Sequence, residues 1–136
     1  MSDTVGEEWG RVEELCFDQD GLRVETTRAG EQLAGRLAGV AEIAVGDRLA
    51  GYLHALHARA ASDHVKQVVM DLAWLDFMNA ACFRAFVAWI HELQELPRPR
   101  QYQIRFRWNK ELPWQRRSIN ALKCFATDLI SIEAGG

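Results

Sequence analysis

The sequence predicts a single α/β domain, a mixed sheet with helices mainly on one face, in the order ββαβαβαβ. Three observations predict it. Stretches in which apolar and polar residues alternate are interleaved with stretches whose apolar residues recur every three or four positions. The run VKQVVMDL, from Val65 to Leu72, is short and rich in β-branched residues, as the buried central strand of a parallel sheet is. The stretch Tyr102 to Trp108 carries arginines along one side, so helices do not cover both faces of the sheet. Strand–helix–strand alternation in turn calls for parallel crossovers.

The elements follow in order. Residues 1–20 are acidic, with isolated apolar positions around Trp9 and at Leu15-Cys16-Phe17, and read as an N-terminal arm, a short helix or extended chain. Asp20-Gly21 is a turn signal, and residues 21–136 form the domain. Leu22 to Thr27 (LRVETT) alternates and is a strand, and after the Ala29-Gly30 turn residues 31–37 return as a second. Asp47 is the expected N-cap of a helix of about 15 residues, whose stripe is Leu49, Leu53, Leu56 and Ala60 with Tyr52 beside it. After the Val65–Leu72 strand, Ala73 to Met78 is expected as a loop. Phe83, Phe86, Val87, Ile90 and Leu93 mark a second helix ending near Gln94, because Pro97 and Pro99 forbid its continuation. Tyr102, Ile104, Phe106 and Trp108 face one side of the next strand and Gln103, Arg105 and Arg107 the other. Pro113 opens a third helix, where its missing N–H costs nothing, with Ile119, Leu122 and Phe125-Ala126 as its apolar side. Leu129 to Ile132 is the last strand.

With 136 residues the chain can bury a substantial core. No run reaches the roughly 18 apolar residues of a membrane span, and MSDTVGEEWGRVEEL has no signal-peptide core, so a cytoplasmic protein is expected, with no membrane partner. Cys16, Cys82 and Cys124 are odd in number, widely spaced and without a CxxC, which argues against a disulfide framework or zinc site. The formal net charge of −3 hides an asymmetry: residues 1–96 hold 8 Lys and Arg against 16 Asp and Glu, whereas residues 97–124 hold 8 against 1. Basic clusters of that kind bind nucleic acid or acidic proteins.

The segment Val68 to Ala88, VVMDLAWLDFMNAACFRAFVA, resembles the signature of STAS domains, the anti-sigma-factor-antagonist family. In that family a β-branched strand ends in Asp-Leu and leads through an apolar pair and an Asp-Ser/Thr-Ser-Gly-like turn into an amphipathic helix. Asp71-Leu72, Phe77-Met78 and the turn Asn79-Ala80-Ala81-Cys82 occupy those places. QIRFRWNKELPWQRRSINALKCF is similar to a subgroup of STAS-like regulators that bind diguanylate cyclases or switch kinases. The resemblance spans about residues 20–133 and implies a non-catalytic module of bacterial-type partner switching. Its partner would be a kinase-like protein, a phosphatase or a diguanylate cyclase. The implied partner-binding residues are Leu75, Asp76, Phe77, Met78, Asn79, Ala80, Ala81, Cys82, Phe83 and Arg84. The chain departs from the family at one telling place. The family's phosphorylated Ser or Thr is Ala80 here, the preceding Asp is Asn79, and no Ser or Thr occurs from Asp63 to Arg117. A phosphate there would add about −1.5 to −2 charge at the interface and drive the partner off. Alanine leaves the surface binding-competent. A homodimer is compatible with the family.

Other chemistry finds little support. His54 and His57 share a helix face but lack the third and fourth ligands a metal needs, and read as a solvated face, as do His64 and His91. Cys82 at a helix start could be activated, but it reads more simply as a small apolar packing residue with no nearby His. Asp71 and Asp76 span a strand end and a loop, and their spacing dictates no acid/base geometry. Walker, GxSxG and GxGxxG motifs are absent. No enzyme activity, cofactor or metal is expected. The alternative is a nucleic-acid binder using the basic 98–123 segment, where arginines are interleaved with Tyr102, Phe106, Trp108 and Trp114. Strand alternation weighs against it by sending aromatics and arginines to opposite faces. Arg105 and Arg107 are then expected on the open face, hydrated and free of buried ion pairs.

Overall fold

The computed structural model describes residues 9–135. Among these residues seven strands form one sheet: β1 (Gly10–Arg11), β2 (Phe17–Gln19), β3 (Leu22–Ala29), β4 (Gln32–Ala41), β5 (Gln67–Met78), β6 (Gln103–Trp108) and β7 (Ile130–Ala134). Three helices connect the later strands: α1 (Gly46–Ser62), α2 (Ala80–Glu95) and α3 (Pro113–Lys123). The spatial order is β1-β3-β4-β5-β6-β7, with β2 also on β3. β3 and β4 are an antiparallel hairpin, and β4, β5, β6 and β7 run parallel, the last three each reached through a helix. This is the mixed α/β sheet expected from the alternation of periods. Its eight principal elements come in the expected order, and two short strands precede them.

Those two strands, β1 and β2, pair antiparallel with β3 around a 3-10 turn at Glu13–Leu15. Val12 and Leu15 are buried, so the apolar positions of this acidic stretch fasten residues 10–19 to the edge of the hairpin.

Strand alternation sorts the side chains as the period of two requires. Leu22, Val24, Leu33, Leu37, Val68, Met70, Ile104 and Phe106 are all fully buried beneath the helices. Arg23, Glu25, Arg36, Arg105 and Arg107 lie on the opposite, open face. On the covered face, Phe86 and Trp89 meet Phe106 edge-on and each other at a tilt, with ring centroids 6.1–6.4 Å apart. Gly35 is required because a Cβ there would stand 2.5 Å from the Tyr52 hydroxyl, which hydrogen-bonds Thr26 at 2.8 Å in the core.

Several local expectations change. Asp47 does not cap α1: the helix begins at Gly46 and its N-cap is Val45, so Asp47 lies in the first turn, where its charge faces the helix dipole. The buried stripe of α2 is Cys82, Ala85, Phe86, Trp89, Ile90 and Leu93, while Phe83 and Val87 are half-buried at its border. Phe125 is 42% exposed, because α3 ends at Lys123 and the chain turns there.

The largest change is in β5. Ala73 to Met78 is strand rather than loop, continuing alongside β4 to Ala41↔Met78. Two register shifts, between Arg36 and Ala38 and between Gly39 and Val40, let β5 carry extra residues against β4. The first is a β-bulge that turns Trp74 outward and Leu75 inward. Gly39, at φ 102° and with the Gly21 carbonyl crowding the place of a Cβ, permits the second.

Candidate functional site

β6 stops opposite Asp71, so the rest of β5 has a strand neighbour on one side only. Its carbonyls on the other side are taken by two side-chain amides. Gln115, fully buried on α3, donates from Nε2 to the Leu72 and Leu75 carbonyls at 2.6 and 2.8 Å. Its Oε1 accepts from the Asn109 backbone N–H at 2.7 Å, and Asn109 Nδ2 donates to the Ala73 carbonyl at 3.3 Å. The end of β5 is thus held firmly, and α2 starts from it.

Asn79 makes the junction. Its backbone N–H donates to the Ala41 carbonyl at 2.7 Å, closing β5 against β4. Its side-chain Oδ1 accepts from the Ala81 N–H at 2.7 Å, an N-cap, and its carbonyl accepts the first helical bond from Phe83 at 3.0 Å. Ala80 is the first helical residue and is exposed.

The ten residues singled out in the sequence are contiguous, and the structure separates them by exposure. Asp76, Phe77, Ala80 and Arg84 face solvent, and Met78, Asn79, Ala81 and Phe83 are half-buried. Leu75 and Cys82 are fully buried and offer no side chain to a partner. The Cys82 thiol points at the Glu42 carbonyl, 3.7 Å away. Burial pushes its pKa up, opposed only by a backbone hydrogen bond at Asn79, so the helix start does not activate it. Sequence reasoning missed two neighbours. Trp74 is 56% exposed, and Ile43, in the 3-10 turn after β4, is 74% exposed. A bulge and a one-turn helix leave no periodic signature, so nothing in the sequence set these two apart from core residues.

On the open face, Asp71 is almost fully buried between two arginines. Its Oδ2 lies 3.4 Å from Arg36 Nε and 3.6 Å from an Arg107 amino nitrogen, and its Oδ1 accepts from the Ala73 N–H at 3.0 Å. Asp76 is exposed on the far side of the bulge, so the two carboxylates form no acid/base pair. Arg36 also reaches over the Trp74 ring at 5.8 Å. Arg105 and Arg107 point away from the aromatic face as expected, but they are not free. Both pair with Glu133 of β7, at 3.6 and 3.1 Å, and their side chains keep only 41% and 34% exposure. Parallel pairing places Arg107 between Asp71 and Glu133, a proximity that requires the strand order. Of the four aromatics of the basic segment, Tyr102 and Phe106 are buried and unavailable for base stacking, while Trp108 and Trp114 are half-buried.

The histidines divide. His54 is exposed and pairs with Glu92 at 2.8 Å. His57 is not on a solvated face: it is half-buried, its Nδ1 2.8 Å from the Tyr102 hydroxyl, which also accepts from Trp89 Nε1 at 2.8 Å. Burial lowers the His57 pKa, Glu92 and Glu95 raise it, and His54 lowers it further. Among the described residues no three His, Cys, Asp or Glu side chains gather as metal ligands do, and no helix is long and apolar enough to cross a membrane.

No known sequence family and no curated protein matches the chain. A solved structure does. The chain is similar to an anti-sigma factor antagonist from Mycobacterium paratuberculosis, with a TM-score of 0.60 and 11% sequence identity over 84% of this chain and 88% of that one. The sheet order, the helices on one face and the turn from β5 into α2 thus make up, in this chain, the fold of an anti-sigma factor antagonist, the architecture implied by the resemblance of Val68 to Ala88.

Proposed function

We propose that the protein is a non-catalytic regulatory module that binds a partner protein through the end of β5 and the start of α2. The observation that carries this reading is the exposed Ala80, first in α2 behind the Asn79 cap, beside the exposed Phe77 and Arg84. A solvent-facing helix start flanked by a large apolar side chain and an arginine without an ion pair among the described residues is suited to docking rather than to chemistry. Ile43, in the turn that packs against α2, extends the apolar part of this surface. The partner is a switch kinase, a phosphatase or a diguanylate cyclase, and binding takes place in the cytoplasm. Because Ala80 has no hydroxyl, the module stays in the state that a phosphoacceptor would occupy only when dephosphorylated.

The test begins with capture of the partner from the producing cells on the immobilised protein and its identification, followed by titration of the isolated partner. Ala80→Asp should weaken binding tenfold or more, since about 1.4 kcal/mol is a factor of ten and an unpaired carboxylate in an interface costs at least that. Ala80→Ser should bind nearly as the parent does. Both variants should stay folded, because a helix N-terminus tolerates Asp and Ser. Equal affinity for a folded Ala80→Asp variant would place the docking surface elsewhere.

A further inference from the structure

The basic segment holds a second surface, two strands away from β5. Every strand arginine among the described residues is paired with an acid: Arg11, Arg23, Arg28, Arg36, Arg105 and Arg107. The cations on and before α3 are not. Lys110, Arg116, Arg117 and Lys123 make no ion pair among the described residues, and α3 itself, PWQRRSINALK, contains no acid. Unpaired charge of one sign beside a recess focuses ligands of the opposite sign.

The recess is present. A cleft of about 420 Å³ opens between α3 and the carboxyl ends of β6 and β7, with Trp108, Ile119 and Ile132 as its apolar lining and Lys110, Arg116 and Asn120 as its polar rim. Beside it β7 is the last strand of the sheet among the described residues, and its outer backbone groups meet no further strand of them. Edge strands are commonly blocked by proline, lysine or a bulge. β7, ISIEA, has no proline or lysine, and its one charge, Glu133, is held by Arg105 and Arg107.

We propose that this edge and cleft receive an extended acidic segment of a partner protein. The segment adds a strand to β7. Alternate side chains of an added strand point to one face, so an apolar one enters between Trp108 and Ile132 while flanking carboxylates meet Lys110 and Arg116. A nucleic acid fits less well, because it needs a run of stacking faces and the cleft offers one aromatic, the half-buried Trp108, while Tyr102 and Phe106 are buried.

The probe is a fluorescein-labelled octapeptide alternating aspartate with valine and leucine, titrated by anisotropy at low salt. It should bind at least tenfold more tightly than the same peptide with lysine for aspartate. Lys110→Glu and Arg116→Glu, both at exposed positions, should each weaken it at least tenfold. Methylating every second backbone amide of the peptide should abolish binding in one register and spare it in the other, a readout that charge attraction alone does not produce. The proposal is overturned if the lysine peptide binds as well, if Arg116→Glu leaves the affinity unchanged, or if both methylated registers bind equally. It is also overturned if a single-stranded oligothymidylate displaces the peptide at lower concentration than unlabelled peptide does, or if sedimentation shows that β7 is already covered by a second copy of the chain.

Discussion

Phe86 and His57 show how differently two residues of the same helical layer respond to burial. Phe86 has no solvent exposure and packs edge-on against Phe106. Phe86→Ala should cost about 3–5 kcal/mol, the transfer and cavity terms together, measured as a shift in urea unfolding. A loss below about 1 kcal/mol would mean that the core collapses around the gap. His57 sits against a hydroxyl with one proton to give. Tyr102 accepts from Trp89, which leaves its own proton free for His57 Nδ1 when the ring is neutral. Burial lowers the folded-state pKa below the ordinary value of 6.5, so the unfolded chain binds the proton first. The stabilising contribution is therefore complete above pH 6.5 and is lost as pH falls from there through the depressed folded value. His57→Asn should remove this part of the acid sensitivity. Urea midpoints of parent and variant at pH 7.5 and pH 5.5 check it, and a variant as acid-sensitive as the parent would remove His57 from the account.

At the scale of elements, α3 acts as a clamp on β5. A strand that outruns its neighbour normally leaves carbonyls to water, and here Gln115 and Asn109 supply the missing donors. Gln115→Leu keeps the volume but strands the Leu72 and Leu75 carbonyls and the Asn109 N–H. At about 1–3 kcal/mol for each group that stays buried, roughly 3 kcal/mol should be lost in urea unfolding. Amide hydrogen exchange should speed up from Leu75 to Ala81 more than in β3, which Gln115 does not touch. Uniform acceleration would show a general loss of stability instead of a released strand end. If this end of β5 docks the partner, the same variant should weaken binding even though Gln115 is buried.

Across the whole molecule, charge separates two surfaces. The β5–α2 junction presents Ala80, Phe77 and one arginine, and the α3–β7 cleft presents Lys110 and Arg116 over an apolar floor. Sites with no shared contacts perturb one another little. Ala80→Asp should therefore leave the affinity of the acidic peptide within about twofold, and Arg116→Glu should leave partner affinity within about twofold, a difference of roughly 0.4 kcal/mol. Reciprocal loss in both titrations would show one continuous interface.

Much of this was legible along the chain. Alternation in LRVETT and QIRFRW, the stripe from Leu49 to Ala60 and the proline at the head of α3 each depend on residues close in sequence, so composition and period place the elements in order, while the Asn79-Ala80-Ala81 turn rests on the family resemblance and its capping role on the structure. What lay outside that reach depends on neighbours supplied by the fold. Residues 73–78 are strand because β4 runs beside them and Gln115, some 40 positions onward, satisfies their carbonyls. Arg105 and Arg107 lose their freedom because parallel pairing sets Asp71 and Glu133 on either side of them. β1 and β2, at two and three residues, are too short for any period and exist only as additions to β3. Local periodicity reports which face of an element is apolar, and it is set by the geometry of a single strand or helix. Which carbonyl finds a donor and which arginine finds an acid are set by strand order and register, and those appear only when distant segments meet.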